Sequence, residues 1–307
     1  MDRVPQETFS PSAPGGLRPS ARRLRLSARQ FRLRVSLVFG LGVAGLVFAY
    51  SPLLKHFLKN PGQSPSYHHF PDQRTFLGIP HCLNVVSNLP ITGAGLLGLW
   101  FLFRRRAKGA RPAFLDDRER WPFVVFVLGM ALTGFGSAYY HWHPDNGRMV
   151  WDRLPMTLVF IALFAATVAE RVSVKLGTEL LWPLAALGIA SVLYWDWTER
   201  HGAGDLRPYG LVQVYPFVAV ALLLLLLPPR YTGTGYVWGA LGWFCLVKVL
   251  DIPRLDQGIY ALGHLVCGHT LHHLAGAVGA CWLLRGLTVR RPVSLGASGV
   301  APGARLC

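Results

Sequence analysis

Long apolar stretches dominate the chain and leave it few ways to fold. Eight of them, at about residues 35–54, 83–103, 122–142, 153–169, 179–195, 209–228, 236–250 and 258–284, approach the roughly 20 residues that a helix needs to cross the hydrocarbon of a bilayer. No alternation of apolar and polar residues competes with them, which argues against a β-barrel. The composition agrees, being 52% hydrophobic and only 15% charged over 307 residues, unlike a soluble globule. The glycines and prolines inside several stretches are compatible with packed membrane helices. The expectation is an all-α polytopic membrane protein.

A formal charge of +16 raises the question of nucleic acid, and the distribution of that charge answers it. The N-terminal arm, residues 1–34, is rich in arginine (Arg18, Arg22, Arg23, Arg25, Arg29, Arg32, Arg34). If it is placed in the cytoplasm and eight spans are threaded, one side holds the arm, the loop RRRAKGAR at 104–111, the 170–178 loop, Arg230 and the tail. That side carries more than two thirds of the 31 Lys and Arg residues, the asymmetry expected of cytoplasmic loops. The basic excess therefore reads as topology plus attraction to anionic lipid headgroups, with both termini cytoplasmic and no nucleic acid. Proline, serine, glycine and arginine in the arm predict disorder. The first span begins too late for a signal peptide and lacks a small-residue cleavage site, so it reads as an anchor. The five cysteines show no CxxC spacing and support neither a disulfide framework nor a thiolate metal site.

Polar residues inside spans are costly and tend to mark function or paired contacts. In GFGSAYYHWHPDNGRMVWDRLPM, residues 134–156, Ser137 and His141 are four apart and share a helix face. Asp152 follows just before an apolar segment, where it serves either as a helix cap or in chemistry. His143 points elsewhere. In GHTLHHLAGAVGA, residues 268–280, His269 and His273 share a face, with His272 beside it and His264 well to one side. In NVVSN, residues 84–88, Asn84, Ser87 and Asn88 read as interhelical hydrogen-bond formers. Asp205 and Arg207 read either as contacts to a lipid headgroup or, the preferred reading, as a pair with each other, and Lys248 with Asp251 as a similar local pair.

His141, His269 and His273 make three imidazoles with a fourth position open, the arrangement of a catalytic zinc site. Zinc there lowers the pKa of its bound water to about 7 and polarises a carbonyl. Asp152 either takes the water's proton, orients the water, or hydrogen-bonds a ligand imidazole. Ser137 is placed to donate to a developing oxyanion. His269 should lie several turns into its span and the site should be recessed.

The combination Ser137-x-x-x-His141, Asp152 eleven residues on, and His269-x-x-x-His273 resembles the alkaline ceramidase family, part of a superfamily of membrane hydrolases with a seven-span core. FPDQRTFLGIP (70–80), NVVSNLP (84–90), GSAYYHWHPDN (136–146), WDRLPM (151–156), SVLYW (191–195) and GDLRPYGLVQ (204–213) look most like its bacterial, phytoceramidase-like branch. The resemblance covers residues 66–285. It implies a seven-helix transmembrane core there; the Arg-rich arm and the span at 35–54, read as one N-terminal anchor helix, fall outside it, and residues 286–307 read as a cytoplasmic tail. It also implies zinc held by His141, His269 and His273, Asp152 acting on the metal-bound water, and Ser137 beside the site. The implied reaction is hydrolysis of a ceramide or phytoceramide amide to a sphingoid base and a fatty acid, in a bacterial inner membrane. Eukaryotic members carry an acidic calcium-binding stretch. Here the corresponding residues read SYHHFPDQRTFLGIPH, with His81 where a carboxylate would fall and only Asp72 acidic, so the resemblance does not extend to calcium.

Three other readings compete. His269-Thr-Leu-His272-His273 also has the form of a di-iron desaturase box, but that chemistry needs several such boxes and the eleven histidines provide one. Haem between His141 and His269 predicts a Soret band. A transporter or receptor with a histidine–aspartate proton relay predicts pH-linked transport without stoichiometric zinc.

Overall fold

The computed structural model describes residues 26–51, 62–104 and 113–293. Most of the arginine-rich arm, most of the RRRAKGAR loop and the end of the tail lie outside the described residues, as does Cys307. Within them the architecture is helical: α1 (Ala28–Ala49), α2 (Cys82–Val86), α3 (Leu89–Phe103), α4 (Arg120–Trp142), α5 (Asn146–Arg171), α6 (Val174–Arg200), α7 (Arg207–Leu226), α8 (Thr234–Leu250), α9 (Pro253–Ala261) and α10 (Gly268–Val289).

Among the described residues six helical stretches are long and apolar enough to cross a bilayer: Ala28–Ala49, Cys82–Phe103, Asp117–Trp142, Asn146–Arg171, Val174–Arg200 and Arg207–Leu226. A seventh arises if α8 and α9, bent by 77° at their junction, count as one. This is a multi-pass membrane protein. Its outward surface carries Leu97, Trp100, Phe135, Leu187, Val214 and Leu225, each more than half exposed, a surface suited to lipid rather than water.

The sequence expectation of one continuous span over 258–284 is not met. Pro253 starts α9, a proline disfavours helix in the residue before it, and α9 turns away from α8. The chain then passes through an exposed His264 at φ +54° before α10 begins. α10 has 22 residues, but its cluster of imidazoles makes it the least obvious crossing in the bundle. α1 also starts earlier than expected, after a Ser27 cap whose hydroxyl receives the Gln30 N–H, and α5 starts at Asn146 rather than near 153.

The central unit is the α4–α5 hairpin. α3 packs on α4, α6 and α7 pack on α5, and α10 packs on α3 and α8. Small residues allow these approaches. A Cβ on Gly136 of α4 would run into the Trp151 carbonyl of α5, so only glycine lets these two backbones meet at the level of Asp152. Val127, Ala162, Ala165 and Leu283 fill the interior below. α1 is peripheral. It rests on α7, where the Tyr215 hydroxyl donates to the Val38 carbonyl at 3.2 Å and Arg34 donates to the Leu226 carbonyl at 2.6 Å.

Chain direction sorts the polar groups between two ends. The α4–α5 turn and the start of α10 share one end. At the other end Glu119 pairs with Arg230 at 2.8 Å and with the Tyr231 hydroxyl, while Arg290 donates to the Ala113 carbonyl at 2.9 Å and lies over the Tyr231 ring.

Candidate metal centre

Three imidazoles meet where α4 ends and α10 begins. His141 is the penultimate residue of α4, and His269 and His273 lie in the first two turns of α10. All three are at least nine-tenths buried. Their nearest ring nitrogens lie within 4.8 Å of one another. His141 Nε2 is 3.1 Å from His269 Nε2, and the three ring centroids are 4.8–5.0 Å apart. Two zinc–nitrogen bonds of roughly 2.0–2.1 Å at a tetrahedral angle put their nitrogens about 3.3 Å apart, so the spacing suits a small cation.

The outer nitrogens explain why the inner ones converge. His269 Nδ1 lies 3.1 Å from the Asp251 carboxylate, which accepts its proton and leaves Nε2 with a lone pair facing inward. His273 Nδ1 lies 2.7 Å from Ser87 Oγ. That hydroxyl donates to the Asn84 carbonyl at 3.2 Å and so accepts from His273 Nδ1, the arrangement that frees Nε2; the Asn88 amide nitrogen, 3.4 Å from the same Nδ1, donates to the Asn84 carbonyl at 2.8 Å. One proton on His141 Nε2 would satisfy only one of these two lone pairs; a cation satisfies all three rings. The residues present therefore fit a metal ion.

Asp152 and Ser137 stand at the same centre. Ser137 Oγ is 3.4 Å from His273 Nε2, and Asp152 stands beside Ser137. The capping reading of Asp152 is excluded, because Asp145 caps α5 by accepting from the Arg148 N–H at 2.8 Å. Asp152 lies two turns inside the helix. His143 is exposed beside Asp145.

The site lies near a helix end, not several turns into a span. His269 is the second residue of α10, and burial comes instead from the segments folded over it. Asp256 of α9 accepts the His269 N–H at 2.8 Å, a carboxylate at a helix N-terminus. Gly268 packs close to the Leu250 carbonyl and the Asp256 backbone. From the other side the 62–81 segment closes the roof. The Phe70 ring lies 4.7 Å from both His141 and His269. Arg74 forms a two-pronged pair with Asp72 and donates to the Leu265 carbonyl at 2.6 Å. Burial raises the Asp72 carboxyl, but the Arg74 hydrogen bonds and charge outweigh it and hold the group below the ordinary carboxylate range.

Several expectations need adjusting. Asp251 does not pair with Lys248: it faces His269 and, at 3.6 Å, His272. His272 thus joins Asp251 and His269 in a second grouping rather than the three-histidine set. The NVVSN residues do form interhelical bonds, with Asn84 Oδ1 accepting from Thr270 Oγ1 at 2.8 Å, and Ser87 also supports a metal ligand. Asp205 and Arg207 pair with each other, both bonds at 2.8 Å. Sequence reasoning missed the roles of Phe70, Ser87, Asp251 and Asp256. The helical spacing of Ser87 after Asn84 and the clustering of Asp251 and Asp256 upstream of the histidines were the available signals. No family model and no curated protein matches the chain.

Proposed function

We propose that the protein is a zinc-dependent intramembrane hydrolase that cleaves the amide bond of a lipid, in the manner of the alkaline ceramidases it resembles. The observation that carries this reading is the convergence of His141, His269 and His273 on one point with Asp152 and Ser137 beside it. When bound, zinc supplies Lewis-acid activation of a water nucleophile and of an amide carbonyl. The protein's own groups account for the rest. Asp251 and Ser87 fix the tautomers of His269 and His273. Asp152 holds the proton taken from water and delivers it to the departing amine. The Ser137 hydroxyl donates to the carbonyl oxygen as charge develops there. Phe70 and the 62–81 roof limit the access of bulk water. A lipid substrate suits the location, since its chains stay in apolar surroundings while the amide reaches the histidines. On this reading the seven helical segments from α2–α3 to α10 form the core, α1 is an added anchor, and the metal centre lies on the non-cytoplasmic side.

Metal analysis of the purified protein combined with a mass-spectrometric screen of lipid amides tests the proposal. One zinc per chain and release of a fatty acid are expected. His269→Ala and His273→Ala remove both the metal and turnover, whereas Asp152→Asn keeps the metal and loses most of the rate. Full turnover by the His273→Ala protein would sink the assignment.

A further inference from the structure

Arg153, the residue after Asp152, is 93% buried by virtue of a 7% exposure, yet it forms no ion pair with any described carboxylate. The acids at this end of the bundle are engaged elsewhere. Asp145 holds Arg148, Asp205 holds Arg207, and Glu199 accepts from the Trp195 indole at 3.2 Å and the Gln63 N–H at 3.1 Å. Asp152 stands beside Ser137 and forms no ion pair with the guanidinium. The guanidinium is held instead by neutral groups. Nη2 donates to Gln63 Oε1 at 2.5 Å, and the rings of Trp195, Tyr209 and Tyr67 surround it at 4.2, 5.0 and 6.0 Å. Nη1 is buried with no hydrogen-bond partner.

A buried cation with an unmet donor is costly, and the cost falls when an anion arrives. Two of the rings around it carry hydroxyls. The Tyr209 oxygen accepts from Gln213 Nε2 at 2.5 Å, and its own proton has no acceptor among the described residues. Tyr67 is exposed, with its ring 6.0 Å from the guanidinium. Arg153 and Asp152 are consecutive on α5 and diverge by about 100° around the helix axis. Trp195 and Tyr209, which flank the guanidinium, belong to the same packed cluster as Phe70, whose ring lies 4.7 Å from His141 and His269.

We propose that Arg153 Nη1, with the hydroxyls of Tyr209 and Tyr67, forms an oxyanion subsite beside the metal centre, so that the lipid taken by this protein carries a carboxylate or phosphate close to its amide. The amide part of this statement rests on the hydrolase reading; the anion part does not. It distinguishes the substrate from a ceramide, whose headgroup is neutral.

Binding of dodecyl phosphate, dodecanoate and uncharged dodecanol to the full-length purified protein tests the subsite, in zinc-loaded and chelator-treated samples so that direct coordination to metal is separated from it. At least one anion binds roughly ten- to hundredfold more tightly than the alcohol in both samples, and the phosphate and carboxylate arms identify which. Arg153→Met removes that preference, Arg153→Lys retains part of it, and Tyr209→Phe, a gentler change that serves if Arg153→Met does not fold, weakens it several-fold. Equal binding of anions and alcohol, or a preference that survives in Arg153→Met or is untouched in Tyr209→Phe, overturns the proposal. Hydrolysis of acyl-matched ceramide, ceramide 1-phosphate and an N-acyl amino acid provides the second arm. If none is cleaved while the anion preference holds, the hydrolase reading fails and the subsite stands. If neutral ceramide is cleaved best, the hydrolase reading stands and the subsite fails.

Discussion

Each imidazole of the cluster has two nitrogens, and the one facing away from the centre decides what the other can do. Asp251 and Ser87 differ in this respect. Asp251 is a carboxylate 3.1 Å from His269 Nδ1, so it both fixes the tautomer and raises the basicity of the ring, whereas Ser87 fixes the tautomer alone. Loss of such an outer partner typically costs ten- to a hundredfold in metal affinity. Asp251→Asn is therefore expected to fold and still bind zinc, with an affinity lower by roughly that factor, read by competition against a chromophoric chelator. Ser87→Ala is expected to show a smaller loss. An Asp251→Asn protein with unaltered zinc affinity would show that this contact does not tune the site.

Helix contacts set where those side chains can go, and Gly136 is the sharpest case. A methyl group there meets the Trp151 carbonyl, so Gly136→Ala must separate α4 from α5 next to the Ser137–Asp152 pair. A destabilisation of about 1–3 kcal/mol is expected from overpacking, visible in thermal unfolding, together with weakened zinc binding. The roof segment gives a pH prediction. Asp72 is held below its ordinary value of 3.8. A carboxylate lowered on folding contributes stability that is complete above that ordinary value and is lost as pH falls through the lower, folded one. Amide exchange over residues 70–82 should thus be protected at neutral pH and rise in acid below about pH 4, and in Asp72→Asn it should be fast throughout. The elements also show why only part of the site was readable. Ser137 with His141 and His269 with His273 are one helical turn apart, and that spacing is local information. Asp251, Asp256 and Phe70 act because α9 bends away from α8 and the 62–81 segment folds across the bundle, and neither event leaves a periodic mark in the sequence. The bend itself defeated the expectation of a single last span, because apolar content over 258–284 says nothing about the turn between α9 and α10.

For the molecule as a whole, the described ion pairs gather at two ends with a mostly apolar middle between them, and the histidines join distant parts of the chain at one end. His141 and His269 are separated by 128 residues and their nitrogens by 3.1 Å, so a cation there ties the α4–α5 hairpin to α10. Few direct backbone approaches link α4 and α10, and the long imidazoles bridge them. Membrane character was legible because it depends on composition averaged over 20-residue windows; the number of crossings was not, since eight stretches were expected where six described helices, or seven with the bent pair, are long and apolar enough. Nor was this long-range tie legible, because it depends on which helix ends become neighbours. A ligand bound only by the folded state stabilises it by about 3–4 kcal/mol at a hundred to a thousand times its dissociation constant. In a protein of this size that is on the order of 5–10 °C in the unfolding midpoint. Chelator treatment of the zinc-loaded protein should lower the midpoint by that amount and added zinc should restore it. His273→Ala should start near the lower midpoint and respond to neither. If instead wild type and His273→Ala respond equally to chelator, the stabilising ion sits elsewhere and the three histidines do not hold it.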